Sequence, residues 1–226
     1  MAKRPVFLSD PTAPGLVRTE MVDFTWHPGL AFAQKQRNVA ALHAAAMVQL
    51  GLAVPLLEVS TKSTEPLGAS LSAFNLTIPD EEGREIPVEC WFQSAKRFRN
   101  VGPFTDLRNA SPRDARGDPR LKQSGDLDAF VLDEEVWPLA PSPSFYDWLY
   151  LRALNRRPEL LRQIAAFSAF TDIEFNPSVS VNCQARTVAL AVALGDTLAA
   201  IDSPIVFRER FASEWPSARQ TQLSLF

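Results

Sequence analysis

Val88-Glu89-Cys90-Trp91-Phe92-Gln93-Ser94-Ala95-Lys96 sets a carboxylate, an amide and an amine at helical spacing inside an apolar frame. At about 100° per residue, Glu89, Gln93 and Lys96 fall within roughly 60° of one another, while Val88, Trp91, Phe92, Ala95 and Phe98 form an apolar stripe. Pro87 suits the first helical position, and Glu89 then lies in the first turn, where the helix dipole favours an anion. The spacing predicts one helix with a chemical face. Glu89 and Lys96 stand about two turns, roughly 10 Å, apart along its axis, too far for an i,i+4 ion pair but suited to converging on one bound molecule. Taken alone, the pattern also describes an ordinary amphipathic helix.

Working outward, Leu52–Val59 and Leu67–Ile78 read as strands, and Asp80-Glu81-Glu82-Gly83-Arg84 as a turn into a short third strand before Pro87. These make a small antiparallel sheet, with Pro55 at an edge or bulge. A helix is expected over Gln34–Leu50, with Val39, Leu42, Ala46 and Leu50 inward and Gly51 as its stop. Residues 1–33 are Pro-rich and read as irregular, pinned by Phe24, Trp26 and Phe32. Between Gly102 and Asp128 the density of Arg, Asp and Gly predicts a largely solvated segment, with Ser111-Pro112 as a capped helix start. Three helices follow at Ser144–Asn155, Pro158–Phe167 and Asn182–Ala200, Ser144 and Asn182 serving as caps. The fold class is α+β, mostly helical with a small antiparallel sheet. Residues 1–203 form the domain and 204–226 a tail.

The bulk numbers narrow the function. The chain has 226 residues, 46% hydrophobic composition and a net charge of -3, enough for one substantial core and unsuited to wrapping DNA by bulk charge. Cys90, Cys183, His27 and His43 have neither disulfide nor zinc spacing, so no metal and no cofactor is expected, in a reducing cytoplasm. Met-Ala-Lys-Arg-Pro lacks the apolar run of a signal peptide, and Thr187–Ile201 is too short to span a membrane and contains Asp196. His43 reads as an ordinary helix histidine.

Glu89-Cys90-Trp91-Phe92-Gln93-Ser94-Ala95-Lys96 resembles the Glu-His-x-Phe-Gln-x-x-Lys helix of the NADAR family, the YbiA-like N-glycosidases. Gly68-Ala69-Ser70-Leu71-Ser72-Ala73-Phe74 resembles that family's Gly-x-Leu-Ser-Asn-Phe strand, with Ala73 in place of Asn. Ser111–Lys122 is similar to its Arg-rich segment, and Asp172 with Asn182 to its acidic loop and Asn-led helix. Glu58–Ser63, Gly102–Leu107, Phe145–Tyr150 and Thr171–Pro177 resemble the branch of DarT-associated antitoxins, and the likeness covers roughly residues 3–200. Cys90 stands where many members have His, so that His is not the indispensable acid or base. The family's Asp-x-x-Trp-Gly loop is replaced by Asp172-Ile173-Glu174-Phe175-Asn176-Pro177, which leaves Asp172 and Glu174 as alternatives for the acidic role.

For that branch the resemblance implies removal of ADP-ribose from guanine bases in DNA, single-stranded by expectation, reversing a cognate DarT-type ADP-ribosyltransferase toxin. A neutral Lys96 amine exchanging with the base gives a Schiff base that water resolves, with Glu89 carrying the proton. Burial lowers such an amine's pKa and a nearby Glu89 raises it. In a rival scheme Glu89 pairs with Asp172 or Glu174 and Lys96 only binds. Gln93, Lys62, Ser72, Phe74, Arg116, Arg120 and Asn182 are the expected binding residues, with Arg113 and Lys122 further phosphate candidates. Trp137, Tyr146 and Trp148 are either stacking groups or core.

Gln222-Leu223-Ser224-Leu225-Phe226 resembles the peptide by which bacterial proteins bind the DNA polymerase sliding clamp, with Ala212–Gln220 as a tether. The expected location is therefore the cytoplasm, at the nucleoid, with no membrane partner. Two alternatives remain open, an N-glycosidase of a small phosphorylated nucleoside and a non-catalytic module that binds toxin or clamp.

Overall fold

The computed structural model describes residues 1–139 and 144–211. Strands β1 (Ala2–Ser9) and β2 (Val17–Phe24) form an antiparallel hairpin in continuous register from Ala2↔Phe24 to Ser9↔Val17. This corrects the irregular reading for the two strands, while residues 25–31 have no regular structure, as expected. Pro11 and Pro14 lie in the turn, where Asp10 accepts hydrogen bonds from Thr12, Pro28 lies beyond β2, and Pro5 is within β1. A third strand reaches β1 only at Phe7 and Leu8, so Pro5 has a partner on one edge alone, which a residue without an N–H tolerates.

That third strand is β9 (Ala169–Thr171), which pairs in parallel with β3 (Leu57–Glu58), giving the order β2-β1-β9-β3. Helix α1 (Phe32–Leu50) covers one face of this sheet, setting Val39, Leu42 and Ala46 against Val6, Leu8, Val22 and Phe24. Gly51 ends it in the left-handed conformation, its N–H donating to the Met47 carbonyl, as expected for a glycine cap. The other face belongs to the main core, where Phe7, Leu57 and Phe170 join Val188 and Leu190 of α8 (Gln184–Leu194).

Two expected strands shrink. Only Leu57–Glu58 of the 52–59 segment pairs, and only β4 (Thr77–Pro79) of the 67–78 segment, against β5 (Glu85–Pro87). Pro66 instead starts the short helix α2 (Pro66–Ser70). Ser70 Oγ then donates to the Leu67 carbonyl and Asn75 Nδ2 to the Ala69 carbonyl, local bonds that replace a strand ladder.

Helix α3 (Val88–Ser94) follows β5 directly, but Lys96 and Phe98 belong to strand β6 (Lys96–Phe98), not to the helix. Lys96 pairs with Phe130 of β7 (Leu127–Leu132), and the Ala95 carbonyl accepts from Val131 N at 2.8 Å. Pairing with a distant strand overrides the helical period. Strand β8 (Glu135–Pro138) completes this antiparallel sheet.

The Arg/Asp-rich segment is less solvated than expected. Ser111 caps α4 (Pro112–Gly117), and α5 (Pro119–Gln123) follows, but Leu107, Ala115 and Leu121 enter the core. Helix α6 (Ser144–Asn155) runs as expected, whereas α7 (Pro158–Ile164) stops short of Phe167. Cys183, not Asn182, is the cap of α8, and a 3-10 segment, Gly195–Ile201, replaces its expected last turns. Helix α9 (Pro204–Phe211) buries Phe207 and Phe211 against the core, so this part of the segment assigned to a tail packs on the domain. Residues Gln222–Phe226 lie outside the described residues. Among those described, no helix is long and apolar enough to cross a membrane.

Candidate active site

A cavity of about 500 Å³ opens between α3, β6, the 58–62 loop and the 172–184 segment. Helix α3 forms one wall. The Glu89 N–H donates to the Ala73 carbonyl at 2.9 Å, which ties this wall to the turn carrying Ser72 and Phe74. Gln93 Nε2 donates to Glu89 Oε1 at 2.9 Å, one helical turn back, so the amide orients the carboxylate. Gln93 Oε1 is buried and receives no donor.

Lys96 enters from the first residue of β6. It is 8% exposed, with its ammonium 5.2 Å from the centroid of the Phe92 ring. Burial brings its amine from 10.5 down to about 8, with Glu89 opposing the shift and Arg116 reinforcing it. Burial raises the Glu89 carboxyl above its ordinary value, partly offset by Gln93, Arg116 and Lys96. Arg116 Nε stands 4.0 Å from Glu89 Oε1, its side chain mostly in solvent.

The opposite wall is acidic and tightly bonded. Gln184 Nε2 donates to Asp172 Oδ2 at 3.0 Å and its Oε1 accepts from Ala73 N at 2.9 Å, so one amide joins the acidic loop to the α3 wall. Beneath Asp172 lies Glu58, fully enclosed, accepting from Ser60 Oγ at 2.6 Å, Thr171 Oγ1 at 2.6 Å and Ile173 N at 2.8 Å. Burial, then Asp172, raises Glu58 to about 8, and burial raises Asp172 to about 7. Two carboxyls this close do not both ionise readily. His43 Nε2 lies 2.8 Å from Thr171 Oγ1, and burial lowers its pKa to about 4. The helix histidine therefore belongs to the network under the acidic loop.

A family model described as DarT1-associated NADAR antitoxin matches residues 2–221. The chain belongs to that family. A search among curated proteins returns no match. Membership in a DarT1-associated NADAR family implies a DarT-type toxin as partner.

In this NADAR chain the cavity wall brings together Glu89, Gln93, Lys96, Asp172, Glu174, Lys62, Ser72, Phe74, Arg116, Asn182 and Lys122. Arg120 stands outside it, held between Asp118 at 2.9 Å and Asp106 at 2.7 Å with its guanidinium over Phe104. Arg113 is exposed and does not line it. Trp137 and Trp148 are buried against each other, 4.9 Å between centroids, whereas Tyr146 reaches the wall and meets Phe92 edge-on at 5.1 Å. Cys90 turns into the core, its Sγ donating to the Ala110 carbonyl at 3.3 Å, so the side chain at this position does not face the cavity. Glu58, His43 and Gln184 were not read from the sequence as site residues. Glu58-x-Ser60 is a carboxylate followed by a hydroxyl, but their fully enclosed neighbours come from residues 171–173. Among the described residues, no group of three or more His, Cys, Asp or Glu side chains is gathered to hold a metal ion.

Proposed function

We propose that the cavity hydrolyses the bond between ADP-ribose and the exocyclic amine of guanine in DNA, reversing the modification made by a DarT-type toxin. The observation that carries this reading is a buried amine set at about 8 beside a buried carboxyl in one cavity. The ribose ring opens to an imine between its anomeric carbon and the guanine nitrogen, the ring oxygen taking up a proton. Neutral Lys96 adds to that carbon, and guanine leaves as the free amine with a proton delivered by Glu89. Water then adds to the Lys96 imine, and expulsion of the lysine returns ADP-ribose. Gln93 Oε1, buried without a donor, suits an O–H or N–H of the substrate.

A second reading draws on the enclosed Asp172, whose raised pKa suits a general acid working opposite Glu89, with Lys96 as a binding group. Incubating the protein with guanine-ADP-ribosylated oligonucleotide and with a phosphorylated nucleoside separates the substrate classes. Free ADP-ribose from the first is the expected outcome, and cleavage of the nucleoside alone rejects the DNA reading. Full activity in Lys96→Ala favours the carboxylate pair.

We further propose that Gln222–Phe226 delivers the enzyme to the sliding clamp at the nucleoid. Deleting Leu225 and Phe226 is expected to abolish clamp co-elution while leaving hydrolysis intact; unchanged co-elution rejects it.

A further inference from the structure

The cavity wall carries Lys62, Lys96, Arg116 and Lys122 beside Glu89, Asp172 and Glu174. Lys62 and Lys122 line it, and neither forms an ion pair with a carboxylate among the described residues. Lys62 Nζ instead meets Thr61 Oγ1 at 3.2 Å and lies 5.6 Å from the centroid of the Phe32 ring. Phe32 is the first residue of α1 and is 51% exposed, outside both hydrophobic clusters. Three residues on, Lys35 reaches Glu174 at 2.8 Å and lies 5.9 Å from the Trp26 ring. The first turn of α1 therefore touches two parts of the cavity wall, Lys62 and Glu174. There Phe32 stays half exposed, with the Lys62 ammonium over its ring. Helix α1 also starts without a capping side chain, so the positive end of its dipole adds to this charge.

The geometry points to a platform for the nucleotide next to the modified base, with Phe32 stacking on that base and Lys62 meeting the intervening phosphate. The inference rests on the reaction proposed above and deepens it: this platform selects a single-stranded polynucleotide over a free nucleoside. An aromatic ring stacks on any base, and a flanking cation holds the backbone. With a net charge of -3 the chain has no general attraction for DNA, so the attraction has to come from local cations such as these. Glu174, which meets this turn, is already paired with Lys35.

The test compares the full chain with Phe32→Ala and Phe32→Trp on ADP-ribosylated guanine carried by a single-stranded oligonucleotide or by a mononucleoside. Phe32→Ala is expected to lower the kcat/KM preference for the oligonucleotide about tenfold, through KM, within the range of one base–aromatic stack. Phe32→Trp keeps the preference. An unchanged preference, or equal losses on both substrates, overturns the platform. If the wild-type chain cleaves neither substrate, the proposed reaction fails separately. The platform is then judged by fluorescence anisotropy with unmodified single-stranded oligonucleotide, where Phe32→Ala should weaken binding about tenfold. Unchanged affinity overturns it, as does loss of toxin co-purification with oligonucleotide affinity intact.

Discussion

At pH 7 an amine set at about 8 leaves roughly a tenth of Lys96 neutral, about 300-fold more than an ordinary lysine at 10.5. That fraction is what the Schiff-base chemistry draws on, and it comes from burial beside Phe92 winning over the nearby Glu89 carboxylate. The sign follows directly: the reactive form gains population as pH rises. With Glu89 passing to guanine the proton that Lys96 gives up, the step needs no separately protonated acid, and the single-turnover rate should climb about tenfold per pH unit below 8 and flatten above it. A rate that falls across this range contradicts a neutral-amine nucleophile. Glu89 acts at the other end of the same step. Glu89→Gln keeps the size and the bond to Gln93 but removes the proton carrier, so kcat should drop by about 10²–10⁴ with the fold intact by circular dichroism. An undiminished kcat would move the proton to Asp172.

Between elements, α2 approaches β3 closely at Gly68. A Cβ at Gly68 would stand 1.9 Å from the Glu58 carbonyl oxygen and 2.4 Å from Ser63 Oγ, so Gly68 serves close packing. Gly68→Ala should destabilise by roughly 1–3 kcal/mol in denaturant unfolding, with loss of activity as the 58–62 loop and Lys62 shift; a stable, active variant contradicts this account. The glycine was legible as part of a motif, but its reason was not, because Glu58 lies ten residues upstream. The same holds elsewhere. The i, i+4 pair Glu89–Gln93 was readable because it lies within one helix. Lys96 was placed on that helix by its spacing, and it reaches the cavity from a strand whose direction β7 sets. Glu58 lay in a quoted motif beside Ser60, but its other partners, and those of Gln184 and His43, at Thr171–Ile173 and Ala73, are distant in sequence. The β1–β2 hairpin was hidden by prolines that the sheet tolerates at an edge and in a turn.

Across the molecule, enclosing these ionisable groups links stability to pH. Glu58, raised from 4.5 to about 8, and Asp172, raised from 3.8 to about 7, hold protons when folded that the unfolded chain releases. Their contribution is complete below the unfolded values and is lost as pH rises through the folded ones. His43, lowered from 6.5 to about 4, acts oppositely, losing its contribution as pH falls below 6.5. Lys96 has its effect above about 8. Between pH 6.5 and 8 the carboxyls therefore dominate, and the thermal midpoint should fall across that window, with Glu58→Gln flattening the fall. A midpoint that rises there contradicts the enclosed network. A covalent link between Lys96 and the ribose can be read by mass spectrometry of the full chain. The reaction with guanine-ADP-ribosylated oligonucleotide is quenched with borohydride and digested. A reduced ADP-ribose adduct is expected on the peptide containing Lys96. Release of ADP-ribose without any adduct, together with undiminished turnover by Lys96→Ala, would contradict it.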